Sequence, residues 1–270
     1  MFTKLLAYEI RSRFRTDARS FGAFIAVIAV AAGIVAAGLP GISGSTATLA
    51  YALCALTPVA CAIAAMADYW KTLYGQRGYF TMSLPISGTA IFWAKITRMA
   101  IECLLALVLA IGGILAVASA AAWSDGISLA EYTAGPRSLV AGVPTSTVVI
   151  MIVVQVLVWL SWGVLGCAVM SIGAQGRFNH LGFGAPIIGF VLVYIVNQVL
   201  AMVGTFFIPL SITTDGHFST EIMWTSFQAT MGTDAQPDVI GLGSYILVPL
   251  FALAMGLWAS HSIEKHTSLR

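Results

Sequence analysis

The sequence predicts an all-α membrane protein with six transmembrane helices, and composition, span length and backbone chemistry support this fold class. Hydrophobic residues make up 59% of the 270 residues, and charged residues only 9%. Soluble domains carry roughly 25% charge, so lipid is the expected solvent for most of this chain. Six stretches approach or exceed the roughly 20 apolar residues that cross a bilayer. Helices are predicted rather than strands, because an open sheet edge leaves backbone groups unpaired in lipid.

The six predicted spans contain a single charged residue, Glu102, in the third span. They are Phe21–Leu39, Thr46–Ala67, Met99–Ala122, Thr147–Ser171, Phe183–Pro209 and Val239–Ser260. No internal repeat or low-complexity segment interrupts them, so we expect a single transmembrane domain over residues 1–270.

Residues 1–19 predict an amphipathic helix that lies in the membrane interface. Apolar side chains recur every four residues on one face: Phe2, Leu6, Ile10 and Phe14. Basic and polar side chains lie opposite: Lys4, Tyr8, Arg11 and Arg15. Basic groups of such a helix face anionic headgroups. Two interpretations stay open, a simple anchor and a lever that touches a cytoplasmic partner.

The distribution of basic residues predicts the orientation of the spans. With six spans both termini share a side, and that side holds every Lys and Arg except Arg137. Basic residues favour the cytoplasmic side of membrane proteins. We therefore expect both termini and the connectors 68–98 and 174–180 to be cytoplasmic.

The outer connectors are longer than turns. Residues 123–146 look irregular, whereas 211–240 contain a candidate helix within FSTEIMWTSFQATM. Ser219 is the expected N-cap, Glu221 suits the first turn, and Gly232 is the expected end. The apolar side chains of this segment predict that 211–240 re-enters the outer leaflet or caps the bundle.

The sequence lacks common catalytic and metal-binding motifs. It contains no GxxxxGK[ST] loop, no HExxH and no CxxC, and its four cysteines all fall inside spans, so we predict neither a catalytic site nor a metal site. The GISGS stretch at Gly41–Ser45 resembles the serine motif of rhomboid proteases. The last span has no histidine before His261 at the opposite face, so a Gly/Ser-rich turn is the preferred interpretation.

The connector between the second and third spans combines aromatic, basic and helix-breaking residues. Gly75 and Gly78 weaken a helix, and Pro85 disfavours helical geometry in the residue before it. A new helix is predicted from Ser87 to Ala122, about 35 residues or roughly 50 Å, which exceeds the hydrocarbon core. Lys95, Arg98 and Glu102 share one face of it, and Arg98 is expected to pair with Glu102 at the i, i+4 spacing.

This connector carries a family resemblance. The stretch RGYFTMSLPISGTAIFWAKI resembles the cytoplasmic loop of ABC-2 type permeases, the membrane subunits of ATP-binding-cassette exporters, with Met82–Ser87 and Lys95 matching the family pattern. The resemblance implies that 68–88 is the coupling loop that docks on a separate ATPase. Its expected contact residues are Tyr74, Gln76, Arg77, Tyr79 and Phe80. Many relatives carry an acidic residue there, where this chain has Gln76 and Arg77.

The resemblance implies an exporter of an amphipathic or hydrophobic substrate, such as a drug, a peptide or a lipid. Its expected partners are the lipid bilayer, two copies or two paralogues of the ATPase, and a second permease subunit, identical or paralogous, with no nucleic acid. ATP and magnesium would bind the ATPase, and no cofactor is expected on this chain. Gln155, Asn197 and Gln198 lie inside predicted spans, where polar side chains face protein or water. Two interpretations stay open: they form hydrogen bonds between helices, or they line the path.

Three alternatives stay open from the residues. A stand-alone secondary transporter needs intramembrane acids for coupling ions, and Glu102 is the one that the predicted spans contain. An intramembrane enzyme and a membrane sensor are the others. Co-purification with an ATPase separates the exporter from all three.

The charge distribution makes the topology testable by cysteine labelling. A membrane-impermeant thiol reagent added outside is expected to label cysteines engineered within 123–146 and 211–240. It is expected to miss cysteines placed at Arg77 and Lys265. Labelling of the 68–88 connector from outside would contradict the predicted orientation.

Overall fold

The structure is a computed structural model that describes residues 2–75, 78, 86–182 and 184–265. Within these residues, six helices are long and apolar enough to cross a membrane. They are α1 (Phe2–Ala36), α2 (Ser43–Leu73), α3 (Gly88–Ser124), α6 (Thr145–Gly173), α7 (Gly184–Phe207) and α9 (Ser244–Lys265). Their outward faces are apolar, with Val30 64% and Val108 66% exposed. The prediction of an all-α membrane protein with six spanning helices is thereby confirmed.

The connectors contain further short elements. They are α4 (Leu129–Tyr132), α5 (Ala134–Ser138), a 3-10 helix (Gly176–Leu181), α8 (Met223–Thr230), β1 (Ser211–Thr213), β2 (Phe218–Ser219) and β3 (Val239–Gly241). Residues 123–146 were expected to be irregular, but they hold α4 and α5. Ser128 caps α4, because its side chain accepts a hydrogen bond from the backbone amide of Glu131.

The first and the last long helices differ in their boundaries from the sequence prediction. The last helix begins at Ser244 rather than Val239, because Val239–Gly241 pairs with β1 as strand β3. Helix α1 runs unbroken from Phe2 to Ala36, so no break separates residues 1–19 from the first span. The start and end of α3, Gly88 and Ser124, lie within two residues of the predicted ones.

The predicted helix of the 211–240 connector is shorter than expected. Phe218 and Ser219 form strand β2 in an antiparallel sheet of order β2-β1-β3, so their backbone groups already pair with β1. Ser219 therefore does not cap a helix, and its hydroxyl accepts from the amide of Glu221 instead. Helix α8 begins only at Met223, after Ile222, and Gly232 lies two residues beyond its end at Thr230 with φ +85°.

The apolar side chains of α8 pack against the end of α7. Trp224 lies 5.6 Å from Phe207 and 5.9 Å from Phe206, measured between ring centroids. Phe227 lies 5.7 Å from Phe206, in an edge-to-face arrangement. Aromatic pairs at such distances add about 0.5–1.5 kcal/mol each beyond their buried area. This aromatic cluster explains why a connector carries so many apolar residues.

The chain forms two compact units. The first comprises Met1–Lys71 and Trp93–Leu139, and the second comprises Thr72–Phe92 and Val140–Arg270. The core of the first unit combines one face each of α1, α2 and α3. Its buried members are Ile28, Val35, Ala50, Cys54, Ala110, Val117 and Ala121.

The second unit packs α6, α7 and α9 through glycine contacts. A Cβ on Gly173 would lie 2.8 Å from the backbone nitrogen of Pro186, and one on Gly204 would lie 2.6 Å from that of Ser244. Real Cβ atoms do not approach backbone this closely, so glycine sets both helix crossings. Small residues allow such close approach in membrane helices.

A neighbouring pair of glycines on α3 tests the packing of the first unit. A Cβ on Gly113 would lie 2.7 Å from the Sγ of Cys54, which is fully buried, whereas a Cβ on Gly112 meets nothing within 4 Å. Gly113→Ala is expected to destabilise the protein by about 1–3 kcal/mol through overpacking. Gly112→Ala, the matched control, is expected to be neutral or slightly stabilising, since alanine favours helix. Thermal unfolding in detergent measures both, and equal shifts would contradict the packing.

Candidate functional site

Helix α1 carries one continuous stripe of inward-facing residues. In its first half the stripe is largely charged, with Glu9, Arg13 and Asp17 following Leu5 at intervals of four residues. This interval places side chains on one helix face. The stripe continues through the apolar positions Phe21, Phe24, Ile28, Ala31 and Val35. The same face of α1 therefore meets its neighbours through charge at one end and through hydrocarbon at the other.

The charged half of this stripe meets charged side chains from α2 and α3. We call the whole set the charge cluster; it lies entirely within the first unit. Its members are Glu9, Arg13 and Asp17 of α1, Asp68 of α2, and Lys95, Arg98 and Glu102 of α3.

Arg98 is the centre of the charge cluster. It is 1% exposed and donates to Asp68 Oδ2 at 3.0 Å and to Glu102 Oε1. Its Nε lies 3.7 Å from Glu9 Oε2. One guanidinium thus contacts a carboxylate on each of three helices. The planar fork of five N–H groups makes this possible, whereas a lysine ammonium offers no such geometry.

Two further cations complete the charge cluster. Lys95 Nζ donates to Glu9 Oε1 at 2.9 Å and is 3% exposed. Arg13 donates to Asp68 Oδ1 at 3.1 Å, and its Nε lies 3.8 Å from Asp17. Glu9 and Asp68 therefore each bridge two cations. Charges are costly to bury unless paired and hydrogen-bonded, and this shared pairing holds α1, α2 and α3 in one register.

Only the α3 part of this site is predictable from the sequence. Lys95, Arg98 and Glu102 were placed on one helix face, and the structure brings Arg98 and Glu102 into contact there. Glu9, Arg13, Asp17 and Asp68 were missed as members. The available signal was the four-residue interval of Glu9, Arg13 and Asp17, which continues in register with the apolar stripe of the same helix.

The apolar face predicted for residues 1–19 is not the face of α1 that packs against α2 and α3. Of its members, Phe2, Ile10 and Phe14 are exposed, and Leu6 is half-buried. Leu5 and Glu9 are the buried residues in this part of α1. The basic residues Arg11 and Arg15 are exposed, as a surface-facing position requires.

The connector residues proposed for docking are described only in part. Tyr74 follows the end of α2 and is half-buried. Gln76, Arg77, Tyr79 and Phe80 lie outside the described residues, so their contribution stays a prediction.

The three polar candidates for a transport path occupy different environments. Gln155 is exposed on α6 and accepts a hydrogen bond from the hydroxyl of Tyr245 at 3.1 Å. Asn197 is 2% exposed, and its Oδ1 has no hydrogen-bond partner among the described residues. Gln198, the next residue of α7, is exposed.

The second unit contains an apolar cavity of about 390 Å³ between α6, the 3-10 helix, α7 and α9. Its walls include Val169, Leu192, Phe251 and Trp258, and none of the three polar candidates lines it. This volume falls within the range of small-molecule sites. A ligand there would make contacts that are almost wholly apolar.

In the described part of the chain, no three His, Cys, Asp or Glu residues are arranged to hold a metal ion. No disulfide joins the four cysteines, all of which lie in the described part of the chain. Comparisons of the chain with protein-family models, curated proteins and solved structures find no match.

Removing the central guanidinium is expected to destabilise the first unit. Arg98→Met leaves three carboxylates without their shared partner, and breaking a buried ion pair costs about 3–5 kcal/mol. Arg11→Met, at an exposed position of α1, is the matched control and is expected to change little. Denaturant unfolding in mixed micelles measures the difference. Equal stability of the two variants would show that Arg98 does not organise the three helices.

Proposed function

We propose that this chain is the membrane subunit of an ABC exporter of the ABC-2 type. The observation that carries the proposal is that both helices bordering the 74–87 connector are joined at its base. Arg98 of α3 binds Asp68 of α2, and the same arginine contacts Glu9 of α1. A connector with such a base moves together with the helices that it joins.

The position of these ion pairs suits the transmission of a force. Asp68 lies five residues before the end of α2, and Lys95 lies seven residues after the start of α3. At 1.5 Å per residue these are about 8 and 10 Å from the connector. Displacement of the connector is therefore passed to α1 within about two helical turns. A flexible base would absorb the same displacement.

The proposed partner is a separate ATPase that binds ATP and magnesium. Tyr74, Tyr79 and Phe80 supply aromatic contact area, which is typical of interface anchors. Arg77 is proposed to supply a cation for bidentate pairing with a carboxylate of the ATPase, and Gln76 precedes it in the sequence. Closure of two ATPase subunits would then move the connectors of two membrane subunits, identical or paralogous, and open a path between them.

The remaining features of the proposal follow from charge and hydropathy. Residues 1–19 act at the cytoplasmic interface as an extension of the first span, and 211–240 act as the outer segment that closes the path. Both termini lie in the cytoplasm of a prokaryote, and a hydrophobic or amphipathic substrate leaves the cell. The apolar walls of the second unit's cavity suit such a substrate.

A stand-alone secondary transporter is the second candidate, and the charge cluster favours it. Four carboxylates, rather than Glu102 alone, lie in or beside the membrane helices: Glu9, Asp17, Asp68 and Glu102. Such groups mark ion and proton pathways in other membrane proteins. Transport driven by a proton or sodium gradient in vesicles without any ATPase would select this candidate over the exporter.

Two substitutions in the connector test the proposed docking. Arg77→Glu reverses the docking charge, and Phe80→Ala removes an anchor at a cost above about 1 kcal/mol. Both are expected to reduce ATPase co-purification and substrate-stimulated hydrolysis in liposomes, with membrane insertion unchanged. Arg137→Glu, on the predicted outer side, is the control. The docking role is refuted if both connector variants assemble and transport like the control.

A further inference from the structure

A small cavity opens between α1 and α3 beside the charge cluster, and the proposed export function does not use it. Its volume is about 140 Å³. Asp17, Arg98 and Glu102 form its polar side. The other walls are hydrocarbon and aromatic, and include Phe14 and Ile101. A charged recess with an apolar rim is thus present on a helix pair that passes through lipid.

Two carboxyl groups from different helices share this cavity. Asp17 of α1 and Glu102 of α3 both line it. Glu102 is 7% exposed and accepts from Arg98, a guanidinium that it shares with two other carboxylates. Asp17 pairs with Arg13, whose Nε lies 3.8 Å from its Oδ1. Neighbouring carboxylates repel in a poorly solvated site, so a positive group placed between them is favoured.

The groups around the two carboxylates favour an organic cation over a metal ion. Calcium takes six to eight oxygen ligands and magnesium an octahedral shell, which two carboxylates beside an arginine do not supply. Phe14 and Phe21 line the cavity, and aromatic faces attract organic cations. Ile101 and Leu105 are 38% and 50% exposed, and they extend the apolar rim along α3 toward lipid. The site therefore suits a cationic head with a hydrocarbon tail.

We propose that this cavity binds the ammonium group of a lipophilic amine. The head donates hydrogen bonds to the carboxylates of Asp17 and Glu102, and the tail leaves along Ile101 and Leu105 into the bilayer. Anionic amphiphiles are repelled by the same carboxylates, and neutral ones gain only the apolar contacts. The proposal concerns the first unit alone and does not depend on the chain acting with an ATPase.

Matched probes with one tail and three heads test the proposal on the full chain. Dodecylammonium, dodecanol and dodecyl sulfate are titrated into the protein in neutral maltoside micelles, and bound molecules are counted by native mass spectrometry. Dodecylammonium is expected to bind at least about tenfold more tightly than dodecanol, since hydrogen bonds to charged groups have about this effect. Dodecyl sulfate is expected to show no saturable binding.

Four variants locate the site. Glu102→Gln and Asp17→Asn are each expected to remove the preference for dodecylammonium, whereas Glu131→Gln, an exposed carboxylate of α4, leaves it intact. Ala18→Phe fills the cavity without altering a charge, and so reports on the site even if a carboxylate variant unfolds. It is expected to abolish saturable binding.

Three results overturn the proposal. Equal binding of dodecylammonium and dodecanol to the wild-type chain would mean that a proton alone satisfies the two carboxyl groups. Equal binding of dodecylammonium and dodecyl sulfate would show that both adsorb nonspecifically to the protein surface. If Ala18→Phe kept the full preference for dodecylammonium over dodecanol, the binding site would lie elsewhere.

Discussion

An arginine that is 1% exposed within a membrane helix has to be surrounded by carboxylates, and this requirement organises the first unit around Arg98. Asp68 and Glu9 approach it from two other helices, and Glu102 approaches from the next turn of its own. Hydrocarbon contacts alone permit sliding between helices, because lipid is as apolar as the helix surface. Directional bonds to one guanidinium do not permit it. The apolar core farther along the same helices then packs in the register that these bonds set.

The second unit reaches a defined packing by different means. Its helices approach each other at glycines, where a single added methyl group would meet backbone atoms of Pro186 or Ser244. Buried hydrogen bonds supplement these contacts, as between the amide of Gln175 and the hydroxyl of Ser262 at 2.7 Å. Steric fit thus has the role in this unit that charge has in the first. The difference follows from composition, since no charged residue occurs between Arg137 and Arg177.

Much of the fold could be predicted because a bilayer imposes length and apolarity on every span. The limits of α3 were predictable from Pro85 on one side and the loss of apolar residues on the other. Strand β3 was not, because three residues pair with β1 through backbone bonds that leave no mark in side-chain composition. Helix α8 was placed too early for the same reason, as Phe218 and Ser219 belong to β2.

The candidate site was predictable only where its residues share a helix. The spacing of Arg98 and Glu102 is local and readable, whereas Glu9 and Lys95 are 86 positions apart. Partners at such separations are not encoded by periodicity. The basic residues near the start of the chain also suggested a surface-facing helix, and this obscured the inward face formed by Glu9, Arg13 and Asp17. The face on which a residue lies identifies its partners only when the neighbouring helix is known.

The long separations within the charge cluster have a consequence for synthesis. Glu9 leaves the ribosome 86 residues before Lys95, and Arg13 leaves 55 residues before Asp68. At 5–20 residues per second, Glu9 waits roughly 4 to 17 s for its lysine. During that time its carboxylate lacks this cation, and a lone charge is costly to bury, so the charged half of α1 is expected to stay at the aqueous surface. The charge cluster is complete only after the residues of the third helix have been made.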